Sequence, residues 1–131
     1  MNRISIVLDS ARTIAVVGMS GKRYRPSYGV AEYMKRSGYR IIPVNPYETE
    51  VLGERCYPDL DSVPGPIDIV DIFRRPEYVE EVVDQAIQLK VPVVWMQEEV
   101  IHERAAEKAR QAGIFVVMDR CILKEHRARL G

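Results

Sequence analysis

The sequence has few cysteines and no excess of either charge. Cys56 and Cys121 are its only cysteines, and they provide neither a metal-site spacing nor a disulfide framework. Its 19 Lys and Arg residues balance its 19 Asp and Glu residues, whereas general nucleic-acid binders usually carry a basic excess. We therefore expect no nucleic-acid partner and reduced cysteines, which is the usual state in the cytoplasm.

Long apolar runs are absent as well. No stretch approaches the ~20 apolar residues that a membrane-spanning helix needs, and the opening segment, MNRISIVLDSART, lacks the apolar core of a signal peptide. These absences predict a cytoplasmic protein with no membrane partner. Because 131 residues suffice for one well-buried core, we also predict a single domain that covers residues 1–131.

Short runs that are apolar at consecutive positions predict the strands. Such runs indicate strands that are covered on both faces, as in a parallel sheet. They are Thr13–Val17, Arg40–Val44, Ile67–Phe73, Val91–Met96 and Ile114–Met118.

Helical patterns lie between these runs. Ser27 is predicted to cap a helix that Gly38 ends, and Pro76 suits the first turn of a second helix, which carries apolar residues at spacings of three and four. Further helices are predicted over Ile101–Ala112, Arg3–Ser10 and Ile122–Leu130, and the irregular segment Pro46–Pro66 has room for one helical turn after Asp59. The order of elements predicts an α/β fold: a doubly wound, mainly parallel five-stranded sheet with helices on both faces.

Basic residues follow several of the predicted strands. Ligands of open α/β sheets bind beyond the carboxyl ends of the strands, so these residues are candidates for a binding site. They are Lys22, Arg23, Arg25, Arg74, Arg75 and Arg120. Their convergence on one edge of a neutral chain predicts an anion site.

The turn after the first strand, GMSGK, matches neither common phosphate-binding pattern. Gly18 and Gly21 are too close for the P-loop pattern G-x-x-x-x-G-K-[ST]. In the dinucleotide pattern G-x-G-x-x-G, Ser20 replaces the second glycine, and the second strand ends in PVNP, without the acid that binds ribose hydroxyls. Lys22 instead favours a phosphate on or near the ribose.

Several segments together carry a family resemblance: IAVVGMS, RPSYGVAEYM, GYRIIPVNP, VLGERCYPDLDSVP, IDIVDIFRRPE and VVWMQ followed by AGIFVVMDRCI. In this order, over nearly the whole chain, they resemble the CoA-binding protein family. Its members are small stand-alone relatives of the N-terminal CoA-binding domain of succinyl-CoA synthetase α subunits. The resemblance implies a Rossmann-like fold that binds coenzyme A or an acyl-CoA.

The resemblance also implies which residues bind. The phosphates would lie at the first loop, the nucleotide beside VNP with further contacts at FRR, and the pantetheine arm near WMQ. Relatives commonly have a glycine soon after that glutamine, where this chain has QEEV, so that Glu98 and Glu99 can crowd or repel the arm. The predicted CoA-binding residues are Gly18, Met19, Ser20, Lys22, Arg23, Asn45, Pro46, Phe73, Arg74, Arg75, Trp95, Gln97 and Cys121.

The charge of CoA agrees with this assignment. Its pyrophosphate and 3′-phosphate carry about four negative charges, which require cations and backbone amides. Arginine binds phosphate through two parallel hydrogen bonds, and lysine binds it as a point charge.

Catalytic arrangements are not visible in the sequence. In the synthetases that the chain resembles, the chemistry uses a histidine of a second domain; here His102 and His126 both lie on predicted helices. We therefore expect a binding or regulatory module without catalytic machinery of its own. Two alternatives stay open: an NAD(P)-linked redox protein, which the missing acid disfavours, and a CoA-binding subunit that works with a separately encoded ligase partner.

Cys121 raises a further hypothesis. It follows the last predicted strand, beside Arg120 and at the start of a helix, where a thiolate is stabilised. We consider two roles: a residue that forms a mixed disulfide with the CoA thiol, or a small residue packed beneath the helix.

Overall fold

The computed structural model describes residues 2–130 and contains a parallel sheet flanked by helices on both faces. The strands are β1 (Thr13–Val17), β2 (Arg40–Val44), β3 (Glu50–Val51), β4 (Glu54–Arg55), β5 (Ile69–Ile72), β6 (Val93–Met96) and β7 (Phe115–Val117). Five of them form a sheet in the order β2-β1-β5-β6-β7, and every neighbouring pair in that sheet is parallel. The predicted doubly wound, five-stranded α/β fold is confirmed.

The first two strands have the predicted bounds, whereas the later three are shorter. Val91 and Ile114 were predicted to begin strands, but each donates its N–H to the end of the preceding helix, at the carbonyls of Ala86 and Ala109. These hydrogen bonds are the kind that close the C-terminal end of a helix before the chain turns away, so the two N–H groups cannot donate to a neighbouring strand. The sheet therefore begins one or two residues later than the apolar run.

The helices are α1 (Arg3–Ser10), α2 (Pro26–Arg36), α3 (Val79–Gln88), α4 (Glu103–Gln111) and α5 (Ile122–Leu130), with 3-10 turns at Leu60–Ser62 and Pro76–Tyr78. The prediction that Ser27 caps α2 is wrong. The helix begins at Pro26 after Arg25, and the buried Ser27 hydroxyl accepts a hydrogen bond from the Ser20 N–H instead. Gly38 follows the end of this helix with φ +104°, as predicted.

Side-chain caps mark the start of α4 and of the first 3-10 turn. Helix α4 begins at Glu103, later than the predicted Ile101, because His102 caps it: the His102 Nδ1 accepts from the Ala105 N–H at 3.0 Å. The helical turn predicted after Asp59 is the 3-10 turn, capped by the Asp59 carboxylate on the Ser62 N–H. The antiparallel hairpin of β3 and β4 was not predicted. Its two turn residues, Leu52 and Gly53, both have positive φ, the geometry that two-residue hairpins favour.

The sheet separates two hydrophobic cores. One lies between the sheet and α3 and α4; the other lies between the opposite face and α1, α2 and α5. Among residues 2–130, no helix combines the length and apolar character that a membrane crossing requires. The carboxyl ends of the parallel strands meet at one edge, which is where the loops after β1, β2, β5, β6 and β7 come together.

Candidate functional site at the carboxyl edge of the sheet

A cavity of about 1050 Å³ opens at this edge. Its volume is at the upper end of the range for small-molecule sites. The wall comes from the loop after β1, the first turns of α2, and the residues that follow β2, β5, β6 and β7. The edge at which the sequence predicts a ligand is therefore concave.

The turn after β1 depends on a glycine. Gly18 has φ +86°, and a Cβ at this position would lie 2.2 Å from the Phe73 carbonyl oxygen. Its N–H donates to the Val44 carbonyl at 2.9 Å. Gly18 thus lets the first loop cross closely between the ends of β2 and β5.

Side-chain oxygens organise the rest of this loop. The Ser20 N–H donates to the Ser27 hydroxyl at 3.0 Å, and the Lys22 N–H donates to the Ser20 hydroxyl at 3.1 Å. The Gly21 N–H donates to the carboxylate of Glu48 at 2.7 Å. These bonds hold the loop against the start of α2, so that both segments contribute to one wall.

The end of the cavity nearest this loop is basic. Lys22 and Arg25 line it, together with Pro26 and Ser27 of the first turn of α2. The N-cap residue, Arg25, forms no side-chain hydrogen bond to the first turn of this helix. Helix N-termini carry partial positive charge and bind anions. Two cationic side chains and a helix N-terminus thus converge here.

The opposite end is acidic. Glu98, Glu99 and Asp119 line it, together with two neutral residues, Gln97 and Cys121. The Asp119 carboxylate accepts from the Glu99 N–H at 2.7 Å, which ties the loop after β6 to the loop after β7. The cavity is therefore electrically polarised from one end to the other.

Gln97 is buried at this acidic end. Its side chain is 4% exposed, and its Oε1 accepts from the Ile122 N–H at the start of α5 at 3.0 Å. Because a backbone N–H can only donate, this bond fixes the orientation of the amide. The Nε2 group is left with no hydrogen-bond partner among residues 2–130.

Many of the predicted site residues lie in the wall of this cavity, and others do not. Those in the wall are Gly18, Ser20, Lys22, Asn45, Phe73, Gln97 and Cys121. The Asn45 side chain also braces the wall, because its Nδ2 donates to the Met19 carbonyl and its Oδ1 accepts from the Tyr47 N–H, both at 2.8 Å.

Two predicted contact residues are core residues instead. The side chains of Met19 and Trp95 are both 0% exposed. Trp95 lies two positions before Gln97 on the same face of β6, one layer deeper in the sheet, and its Nε1 donates to the Arg120 carbonyl at 2.8 Å. Neither side chain reaches the cavity.

The remaining predicted residues lie outside the wall. Pro46 and Arg74 line a smaller groove of about 210 Å³ near α3, where the Arg74 guanidinium lies 4.4 Å from the centre of the Tyr78 ring. Arg23 and Arg75 are exposed and do not line the cavity. Arg120, predicted at the same edge, forms an ion pair with Glu125 at 3.6 Å. The predicted convergence of basic residues is therefore reduced to Lys22 and Arg25.

The sequence prediction missed part of the wall. Pro26, Ser27 and Val30 come from the first turns of α2, and Tyr47 and Val100 come from loops. The spacing of Ser27 and Val30 places them on one side of a helix, which is the signal that could have identified them. Tyr47 is 91% exposed beside the cavity. In the sequence, an aromatic residue directly after the VNP segment of the predicted nucleotide site is a second such signal.

The two cysteines have different surroundings. Cys121 lies in the cavity wall at 8% exposure and directly precedes α5. Cys56 is buried in the loop region after β4, and burial raises the pKa of its thiol. Both cysteines are free, and only Cys121 of the two lines the cavity.

Comparison with known proteins gives consistent matches. Residues 12–127 match the CoA binding domain family. The chain is 39% identical to the uncharacterised protein YneT of Bacillus subtilis over 123 residues, which are 94% of this chain and 91% of that protein. A solved structure of a hypothetical protein from Pyrococcus horikoshii is 40% identical, with a TM-score of 0.95, and the match covers 98% of this chain and 90% of that one.

A more distant match concerns an enzyme. Over 79 residues the chain is 29% identical to the ADP-forming acetate–CoA ligase II of Archaeoglobus fulgidus. The match covers 59% of this chain but 12% of the ligase. The similarity is therefore to one part of a much larger protein.

Proposed function

The chain belongs to the CoA binding domain family, and on that premise we propose that its cavity binds coenzyme A or an acyl-CoA. The observation that carries this proposal is the polarised cavity at the carboxyl edge of the sheet. Lys22, Arg25 and the start of α2 form its basic end, which suits the phosphates of CoA. The long, less charged arm would then extend toward Gln97 and Cys121.

The surroundings of β2 favour CoA over NAD. Dinucleotide sites use an acid at the end of this strand to bind the free ribose hydroxyls, and here Asn45 holds the position. The first acid after the strand, Glu48, accepts from the Gly21 N–H and does not line the cavity. The ribose therefore meets Lys22 rather than a carboxylate, which supports a phosphorylated ribose such as that of CoA.

The exposed Tyr47 ring suits the adenine. It lies in the wall beside Asn45, and stacking of a base on an aromatic ring is worth about 1–3 kcal/mol in single-stranded nucleic-acid complexes. An adenine here would leave the pyrophosphate to reach the first turn of α2. This arrangement accounts for an aromatic side chain of which 91% is exposed to solvent.

We further propose a binding module without catalytic machinery of its own. Neither histidine lines the cavity: His102 caps α4, and His126 contacts Tyr33 and Arg129. Glu98 and Glu99 are adjacent but do not act as a pair, because the Glu98 carboxylate is bound by Lys124 at 3.0 Å whereas Glu99 is held through its backbone N–H by Asp119. The residues of the wall thus suit recognition of a ligand better than acid–base chemistry.

Calorimetric titration of three single variants with CoA tests the proposal. Lys22→Ala and Arg25→Ala should each weaken CoA binding about tenfold, because a charge-assisted hydrogen bond is worth roughly 1.5–3 kcal/mol. Arg23→Ala is the matched control: it removes a neighbouring exposed cation that lies outside the wall and should change the affinity less than about twofold.

Dephospho-CoA extends this test. It should bind the wild-type protein more weakly than CoA if Lys22 contacts the 3′-phosphate, and Lys22→Ala should then bind both ligands similarly. Equal losses in all three variants would mean that the basic residues act through general charge alone and that the cavity is not the site.

A further inference from the structure

The charges of the cavity differ between its two ends. The basic end is Lys22 and Arg25, and the acidic end is Glu98, Glu99 and Asp119. In the proposed orientation the phosphates of CoA occupy the basic end, so the sulfur and any acyl group attached to it lie at the acidic end. The acyl group therefore meets a field of opposite sign from the one that the phosphates meet.

The acidic end is only partly neutralised by neighbouring cations. Glu98 forms an ion pair with Lys124 at 3.0 Å. Arg120, the nearest arginine in sequence, pairs with Glu125 instead. Among residues 2–130, neither the Glu99 nor the Asp119 carboxylate forms an ion pair within 4.0 Å, although Asp119 accepts the Glu99 N–H. Two carboxylates thus remain without a cationic partner.

Gln97 gives an independent indication of a ligand at this end. It is more than nine-tenths buried in the wall, and the Ile122 N–H fixes its Oε1. Its Nε2 forms no hydrogen bond among residues 2–130 and is not one of the buried polar atoms left without a partner, so this donor remains accessible from the cavity. A carbonyl oxygen of an acyl or pantetheine group would satisfy it without bringing a charge.

The backbone of the two free acids is also unusual. Glu99 has φ +69° and Asp119 has φ +61°, in the left-handed region that costs side-chain-bearing residues free energy and that often accompanies functional sites. The hydrogen bond between them holds this pair at the wall. The positive φ values do not by themselves assign a role, but they occur at the same two residues whose carboxylates have no cationic partner.

We propose that the acidic end makes the site selective for CoA or for CoA thioesters of uncharged acyl groups, and that it rejects thioesters whose acyl group ends in a carboxylate. The inference rests on the proposed function, because it assumes that CoA binds with its phosphates at Lys22 and Arg25. Gln97 would donate to a neutral carbonyl, while Glu99 and Asp119 repel a second carboxylate. Like charges brought close together in a partly desolvated site are strongly unfavourable.

Two thioesters of equal chain length test this selectivity. Butyryl-CoA and succinyl-CoA differ at the end of the acyl chain, where succinyl-CoA carries a carboxylate. Calorimetric titration of the wild-type protein should give an affinity for succinyl-CoA about tenfold lower than for butyryl-CoA. The ratio should shrink as salt is added, since screening weakens the repulsion.

The double variant Glu99→Gln, Asp119→Asn removes both charges and keeps the shape of the wall. Asparagine tolerates positive φ and retains the Oδ1 that accepts the Glu99 N–H. In this variant the two thioesters should bind within about threefold of each other. Glu103→Gln is the matched control, because Glu103 is exposed and outside the wall, and it should retain the wild-type ratio.

Gln97→Glu probes the donor. Its carboxylate can still accept from the Ile122 N–H but replaces the free donor with a further acceptor and a charge. It should weaken both thioesters and widen the ratio between them, with thermal unfolding as the check that the buried change leaves the protein folded.

The possible outcomes distinguish failure of the proposed CoA binding from failure of the proposed acyl selectivity. If no CoA species binds, the proposed function fails. If CoA and both thioesters bind with equal affinity, the proposed function stands and the selectivity proposed here is wrong. A wild-type ratio that persists in the double variant would also overturn the role of Glu99 and Asp119.

Discussion

The two faces of the sheet have different buried side chains. Between the sheet and helices α3 and α4, the buried core is composed of apolar residues. The opposite face, covered by α1, α2 and α5, carries the buried polar or charged residues of the described chain: Ser27, Asp71, Gln97 and His126. The cavity opens on this second side. The core beneath α3 and α4 is therefore wholly apolar, whereas the side covered by α1, α2 and α5 combines apolar packing with the buried polar groups near the cavity.

The polar residues of the second face have different roles. Ser27 and Gln97 anchor the two ends of the cavity wall through bonds to Ser20 and Ile122. His126 joins α2 to α5, with Nδ1 2.8 Å from the Tyr33 hydroxyl and Nε2 3.0 Å from Arg129. Because Arg129 can only donate, Nε2 accepts and a neutral His126 carries its proton on Nδ1. Burial lowers the pKa of His126, which favours this neutral form.

Among residues 2–130, Asp71 is the one of these four residues that has a buried side-chain oxygen without a hydrogen-bond partner. It lies in the central strand β5 between Val16 and Trp95 of the neighbouring strands, and its Oδ1 is buried without a hydrogen bond. Burial raises the pKa of its carboxyl group well above 3.8. Asp71 is two residues before Phe73 on the same face, so it lies one layer beneath the floor of the cavity.

The largest effect is expected on the apolar face. Ile72 is 0% exposed and adjacent to Asp71 on β5, but it points to the opposite core. Ile72→Ala should lower the free energy of unfolding by about 2–5 kcal/mol, because the surrounding core cannot fill the cavity that the change leaves. Urea denaturation measures this loss. A loss below about 1 kcal/mol would show that this face is packed less tightly than the comparison requires.

A change at the next position should have the opposite sign. Asp71→Val removes a buried acid with an unsatisfied oxygen, so it should raise the free energy of unfolding by about 1–3 kcal/mol near neutral pH. Destabilisation by this variant would mean that the carboxyl group makes a favourable contact, through an ordered water or a ligand.

The pH dependence sharpens the Asp71 prediction. Because the folded-state pKa lies above the unfolded value, the contribution of Asp71 is most favourable below pH 3.8, and it is lost as the pH rises through the folded-state pKa. Asp71→Asn serves as the control, since it removes the titration but keeps a buried polar group. Both variants should therefore lose this component of the pH dependence, and the valine variant should be the more stable of the two.

The sequence predicted the fold well because the central strands show a local pattern that can be read directly from the sequence. Parallel strands with both faces covered are apolar at consecutive positions, and β1 and β2 have the predicted bounds. A run that is apolar at every position does not indicate which face of the sheet each residue occupies or how deeply it is buried. Trp95 lies within β6 and Gln97 directly follows the strand on the same face, so Trp95 is buried one layer deeper and Gln97 lines the cavity.

The candidate site was predicted in part for a similar reason. Residues directly after strands, such as Gly18, Phe73 and Gln97, lie in the wall because the topology brings strand ends together. Arg74 and Arg75 follow a strand too, but adjacent residues leave a strand end in different directions. Ser27 and Asp119 join the wall through the docking of α2 and the turn after β7. Sequence spacing shows that Ser27 and Val30 share one side of α2, but which part of the molecule that side faces depends on packing.

The most direct test of the central claim compares nucleotides on the wild-type protein. Calorimetric titrations with CoA, acetyl-CoA, NAD, NADP and ATP measure which ligand the polarised cavity prefers. We predict that CoA or acetyl-CoA binds most tightly, because these ligands combine a phosphorylated ribose for Lys22 and Arg25 with a neutral arm that reaches Gln97. Tighter binding of NAD than of every CoA species would contradict the account.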